Sequence, residues 1–135
     1  MRKIQALLTM VLTAICLSAC SNTKLAEGFD EDKIKEAAQN AVDCLIAGEY
    51  EECVAMMDAD MQAALPAESL KSNVEPMNEK TGAFREYKSI AVIGQKDAEG
   101  TDTAVAVIVA EFENEKVTYT VSFNQSMEII GLWMK

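Results

Sequence analysis

Beyond Asp30 the apolar residues of this chain follow two successive patterns, and each predicts a different kind of structure. Ile34, Ala37, Ala38, Ala41, Val42, Leu45 and Ile46 recur every three to four positions and line one face of a helix. Asp30 stands where it can cap that helix, and Gly48 where a left-handed residue would stop it. A second short helix carries Tyr50, Cys53, Val54 and Met57, and a further turn spans Asp60 to Leu65. Pro66 suits the first turn of another helix, whose buried side is Leu70, Val74 and Met77. Pro76 is expected to kink or shorten that helix, and Thr81-Gly82 to end it. From Ala83 onward the period is two. Ala83–Gln95, Thr103–Phe112, Val117–Phe123 and Glu128–Met134 read as strands, the second of them apolar and β-branched enough to be central.

The strand pattern also predicts a register. With Asn114-Glu115 as a two-residue turn, Phe112 faces Val117, Ala110 faces Tyr119 and Ile108 faces Val121. With the next turn at Gln125-Ser126, Phe123 faces Glu128, Val121 faces Ile130 and Tyr119 faces Leu132. Both turns place apolar residues on one sheet face, which a slip of one residue would destroy. The helical stripe supplies the cover for that face. The expected fold class is therefore α+β: N-terminal helices packed on a curved four-stranded antiparallel sheet.

That order, helices and then a meander, resembles the NTF2-like (cystatin-like) superfamily over about Phe29 to Lys135. The resemblance implies a cone with a long helix laid into a bent sheet. The stretches "FDEDKIKEAAQNAVDCLIAGEYEECVAMMDADMQAAL", "EKTGAFREYKSIAVIGQ" and "YTVSFNQSMEIIGLWMK" are similar to an uncharacterised family of exported bacterial domains, sometimes fused to a hydrolase. Members of that family often carry Asn-Gly in the hairpin where this chain has Asn114-Glu115.

The N-terminus adds an address. Arg2 and Lys3 precede an apolar run from Ile4 to Leu17, which is too short to span a hydrocarbon layer of about 30 Å. Leu17-Ser18-Ala19-Cys20 closes the run and resembles the lipobox of bacterial lipoproteins. The resemblance implies cleavage before Cys20 and a diacylglycerol on its thiol, often with palmitate on the new amine. Two chains anchor a protein stably where one holds only marginally. The expected organisation is a signal peptide over 1–19, a lipidated tether over 20–28 and one domain over 29–135. The expected localisation is extracytoplasmic, anchored to the bacterial cell membrane.

Charge narrows the partners. The 135-residue chain carries 12 basic and 22 acidic residues, and without residues 1–19 its net charge is −12. Such a surface repels nucleic acid and anionic headgroups, so membrane attachment falls to the lipid.

Candidate chemistry is sparse. The chain has no histidine, which excludes Ser-His-Asp and Cys-His arrangements and the Asp–His pairs common in NTF2-like enzymes. Its glycines are isolated and fit no phosphate loop. The acidic runs "DEDK" and "EYEE" lack the alternating ligands of a calcium loop and read as solvated helix starts, so no metal or cofactor is expected. Cys44 and Cys53, on adjacent helices, are a candidate disulfide; the alternative is two small buried hydrophobes. Tyr119 and Glu128 share the concave face in the expected register and are candidate ligand-binding residues; the alternative is a core aromatic and a solvated strand end. Trp133 falls on the opposite face beside Thr118, Thr120 and Ser122, as a candidate interaction surface. These features point to a non-catalytic, lipid-anchored module. It would bind a small apolar ligand in its cone, or an envelope protein or a second copy through its sheet. The alternative is an enzyme or substrate-handling domain using Tyr119 and Glu128.

Overall fold

A computed structural model describes residues 24–135. Four helices precede four strands: α1 (Glu31–Ala47), α2 (Tyr50–Ala55), α3 (Ala59–Ala64), α4 (Ala67–Thr81), β1 (Phe84–Lys96), β2 (Asp102–Phe112), β3 (Lys116–Phe123) and β4 (Ile129–Met134). The strands form one antiparallel sheet in the order β1-β2-β3-β4, so β2 and β3 are central. The helices pack against this curved sheet, giving the α+β fold.

Local chemistry sets the helix ends. The Asp30 carboxylate accepts from the Asp32 and Lys33 amides at 3.0 and 3.2 Å, satisfying donors at the start of α1. Gly48 at φ 77° closes it. Ile34, Ala38, Ala41, Val42 and Leu45 are fully buried, while Ala37 and Ile46 pack at the margin of the stripe. Asp58 caps α3 through the Met61 amide at 2.8 Å. Pro76 does not shorten α4, which runs on to Thr81 with Leu70 and Val74 buried.

The first hairpin is shifted by two residues from the expected register, and the second by one at Phe123 and by two beyond its bulge. The first turn is Glu113-Asn114, with Glu111 opposite Lys116, Ala110 opposite Val117, Ile108 opposite Tyr119 and Ala106 opposite Val121. The cause lies outside the hairpin. The Glu113 amide donates to the Ala83 carbonyl at 2.9 Å and the Asn114 amide to the Thr81 carbonyl at 3.0 Å, so the α4–β1 junction pins the turn. A shift of two preserves parity, and the apolar face survives.

In the second hairpin the Asn124 amide donates to the Glu128 carbonyl at 3.0 Å, and Met127 adopts φ 62°. This is a three-residue loop with a left-handed last residue. Beyond it Phe123 faces Ile129, and Ile130 is the extra residue of a bulge. Ile129 therefore enters the core and Ile130, expected there, is only half-buried. Val121 and Tyr119 then face Leu132 and Met134. Two further irregularities, at Phe84/Glu86 and Tyr87/Ser89, interrupt the ladder between β1 and β2. Such breaks bend strands, which helps the sheet wrap around α1.

The inner sheet face is filled. Ala104, Ala106, Ile108, Ala110, Val121 and Phe123 are buried with Leu45 and Ile34 in one core. The segment before α1 takes part: Phe29 and, within the stretch expected as a tether, Leu25 pack against that core.

Candidate functional site

The sheet places Tyr119 and Glu128 apart. Tyr119 is 1% exposed in the middle of the core, and burial pushes its phenol up to about 12. Glu128 is exposed in the β3–β4 loop, where its carboxylate accepts from the Asn124 side-chain amide at 3.1 Å and its own amide donates to Asn124 Oδ1 at 2.9 Å. Tyr119 lies opposite Met134 at one end of the β3–β4 ladder, whereas Glu128 lies just beyond the Phe123–Ile129 pair at the other. Four surface clefts among the described residues, with volumes of about 260–490 Å³, are lined by neither residue. The arrangement has a packed phenol and a solvated turn carboxylate.

Trp133 is different. It is 59% exposed, the one large apolar side chain left in solvent among the described residues. β4 directs it to the outer face opposite Thr120, and Gly131, two positions earlier on the same face, gives its indole a seat. A methyl group on Gly131 would lie 2.5 Å from the indole ring. Val107 and Val109 on β2 and Thr118 and Thr120 on β3 share this outer face and are half-buried.

β4 is also an edge strand. Its start is covered, because the Asp58 amide donates to the Ile129 carbonyl at 3.0 Å and the Ile129 amide to the Met56 carbonyl at 2.9 Å. Farther along, Thr118 and Lys135 exchange two backbone hydrogen bonds at 2.9 and 3.0 Å. The alternation of an antiparallel ladder then turns the backbone groups of Leu132 and Met134 away from β3, toward the open edge.

Cys44 and Cys53 carry free thiols on the α1–α2 hairpin. Burial, with the neighbouring Cys44 thiol as a lesser cause, pushes Cys53 up to about 12. Cys44 is raised by burial and then by the charges of Glu49, Glu52 and Asp43. Its sulfur and one carboxylate oxygen each from Glu49 and Glu52 lie within 4.8 Å of one another. Glu52 is itself raised, first by a hydrogen bond with Glu49 and then by its charge.

This thiol–carboxylate group flanks a carboxylate-rich cleft of about 370 Å³ lined by Glu49, Tyr50, Glu51, Glu52, Glu68 and Lys71. The run "EYEE" reads in the sequence as a solvated helix start, and the two assemblies are not visible there. Their partners come from three separate helical segments, so no single stretch displays the spacing. Cys20 lies outside the described residues. Among those described, no helix is long and apolar enough to cross a membrane.

Comparisons agree with this picture at the level of fold and family. The NMR structure of a protein from Ruminococcus gnavus ATCC 29149 is similar with a TM-score of 0.71 and 25% identity, covering 84% of this chain and 97% of that one. No curated protein matches the chain. A family model described as "Protein of unknown function (DUF3887)" matches residues 38–132, which spans the domain from the middle of α1 to β4, and the chain belongs to that family.

Proposed function

We propose that this protein is a non-catalytic accessory module of the bacterial cell envelope, anchored by a lipid on Cys20, that docks an envelope protein through the outer face and open edge of its sheet. The observation that carries the docking part is Trp133, 59% exposed beside a free strand edge. An exposed indole on an edge strand offers a partner apolar area at small entropic cost, and the open backbone groups offer strand addition. The filled inner face favours this reading over a ligand held in an NTF2-like cone. Placement outside the membrane rests on the lipobox-like Leu17-Ser18-Ala19-Cys20 after a charged start and an apolar run.

The test is photo-crosslinking in bacterial cells with a benzophenone residue at position 118, on the outer face, or, as a control on the opposite layer, at position 36. Capture of one discrete envelope protein from position 118 alone, lost in Trp133→Ala, is expected. Equal capture from both positions, or capture unaffected by Trp133→Ala, overturns the docking reading. Growth with radiolabelled palmitate tests the anchor: the wild type is expected to carry label and Cys20→Ser none.

A further inference from the structure

The segment Lys24–Phe29 has a fixed seat on the domain. A methyl group on Gly94 would lie 2.1 Å from the Lys24 carbonyl oxygen, 2.7 Å from its carbon and 2.9 Å from the Leu25 Cα. Backbone thus crosses backbone at Gly94, where no side chain fits. Gly94 lies opposite Ala104, so the crossing is on the inner side of the β1 edge, and Leu25 and Phe29 bury themselves against the core on either side of Ala26. Lys24, Leu25 and Ala26 then border a cleft of about 260 Å³ with Gln95, Lys96 and Asp102, at the end of the sheet where β1 turns into β2.

This seat shortens the leash. A free tether from Cys20 to Phe29 would reach about 32 Å, but only the four steps from Cys20 to Lys24 precede the seat, and they reach at most about 14 Å. The seat is at one end of the sheet, since Gly94, Ala104, Phe123 and Ile129 stand side by side across the four strands. The loops Asp97–Thr101 and Asn124–Glu128 share that end. The Glu113-Asn114 turn and the α4–β1 junction lie at the other.

Resting on the anchor reading above, we propose that the strap fixes the domain's orientation, with the Asp97–Thr101 and Asn124–Glu128 loops facing the bilayer and the Glu113-Asn114 turn pointing away. The bilayer-facing end holds Lys24 and Lys96 against Asp97, Glu99, Asp102 and Glu128, and Lys96 is already paired with Asp102 at 2.7 Å. Its charge balance is negative, so the short leash and not adsorption keeps it at the surface. Trp133 and the open edge of β4 then face sideways, which suits a partner standing on the same membrane.

The experiment uses the lipidated chain in phosphatidylcholine vesicles that contain a headgroup-linked fluorescent acceptor. Trp133, the single tryptophan, is replaced by Phe, and one new tryptophan is placed at an exposed turn position, Glu99→Trp or Glu113→Trp. The two turns are separated by the length of β2, about 33 Å, so transfer from position 99 is expected to exceed transfer from 113 by about threefold or more. Equal transfer, or stronger transfer from 113, overturns the orientation while leaving the anchor intact. A chain whose intact mass lacks the lipid, and which does not float with the vesicles, overturns the anchor and the orientation together. In Gly94→Val, with circular dichroism unchanged, the strap is unseated and the ratio is expected to approach one; an unchanged ratio overturns the strap as the restraint.

Discussion

The two faces of this sheet are made by the same strands and do opposite things. On the inner face Ala104, Ala106, Ile108, Ala110, Tyr119, Val121 and Phe123 are all buried beneath the helices. On the outer face Val105 and Ser122 are buried near the loop end, Val107, Val109, Thr118 and Thr120 are half-buried and Trp133 stands in solvent. Alternation along a strand makes this division possible: each residue serves one face, so packing demands on one side leave the other free. The inner face holds the fold together. The outer face carries an exposed aromatic seated on Gly131, and the proposed docking uses it.

The comparison breaks if the faces respond alike to truncation. Phe123→Ala removes a fully buried ring and leaves a cavity beside Val121 and Ile129, so it is expected to cost about 3–5 kcal/mol in urea unfolding. Trp133→Ala is expected to change stability by less than about 1 kcal/mol, since the side chain is 59% exposed, while abolishing partner capture. Similar losses of stability from the two substitutions would make Trp133 a structural residue and remove the case for docking.

Alkaline titration sharpens the same contrast. Tyr119 is held neutral on the inner face, with its phenol raised by burial from 10.0 to about 12. A raised acidic group contributes stability that is complete below its unfolded value and is lost as pH rises through the window between the two values. For Tyr119 that window runs from about pH 10 to 12. Cys53, raised from 9.0 to about 12, begins to act one unit lower. Between pH 8 and pH 11 the wild type is expected to lose about 1.4 kcal/mol more than Tyr119→Phe, the equivalent of one pH unit of linkage. Identical losses in the two proteins, measured by urea midpoints, would mean that the phenol reaches water.

How far the sequence reveals these faces depends on the range of the interactions. The helix stripe from Ile34 to Ile46, the Asp30 cap and the Gly48 stop are local, and each lies where the pattern predicts. So does the assignment of Tyr119, Val121 and Phe123 to the inner face, because parity survives a two-residue shift. The register itself was not legible. It is set by hydrogen bonds from Glu113 and Asn114 to Ala83 and Thr81, some thirty residues back along the chain. The bulge that exchanges Ile130 for Ile129 was hidden for a similar reason, since the backbone between Met56 and Asp58 holds Ile129 from the side. Glu128, expected on the concave face, lies in the loop for the same reason. The grouping of Cys44 with Glu49 and Glu52 depends on how tightly the α1–α2 turn closes, and hydrophobic periodicity carries no information about that. The seat of Lys24 and Leu25 is not legible in the sequence, because a single leucine among polar residues shows no period and the sign of the seat is a missing side chain at Gly94.

The two sheet glycines give the finest comparison of the faces. At Gly94 an added methyl group meets backbone, the Lys24 carbonyl oxygen at 2.1 Å; at Gly131 it meets the far edge of the Trp133 indole at 2.5 Å. Backbone pinned by Leu25 and Phe29 cannot yield without unpacking both residues from the core, so Gly94→Ala is expected to cost about 1–3 kcal/mol. An indole already in solvent can rotate away, and Gly131→Ala is expected to cost less than about 1 kcal/mol. The smaller substitution should still leave a mark on function. Lifting the ring from its seat exposes more of it to water, so the Trp133 fluorescence maximum is expected to move to longer wavelength in Gly131→Ala and to stay in place in Gly94→Ala. Since Gly131→Ala leaves the strand edge and the rest of the outer face as they are, loss of partner capture in this variant would trace docking to the orientation of the indole rather than to its presence alone. Equal stability losses at the two glycines would show that the outer face is as firmly packed as the inner one.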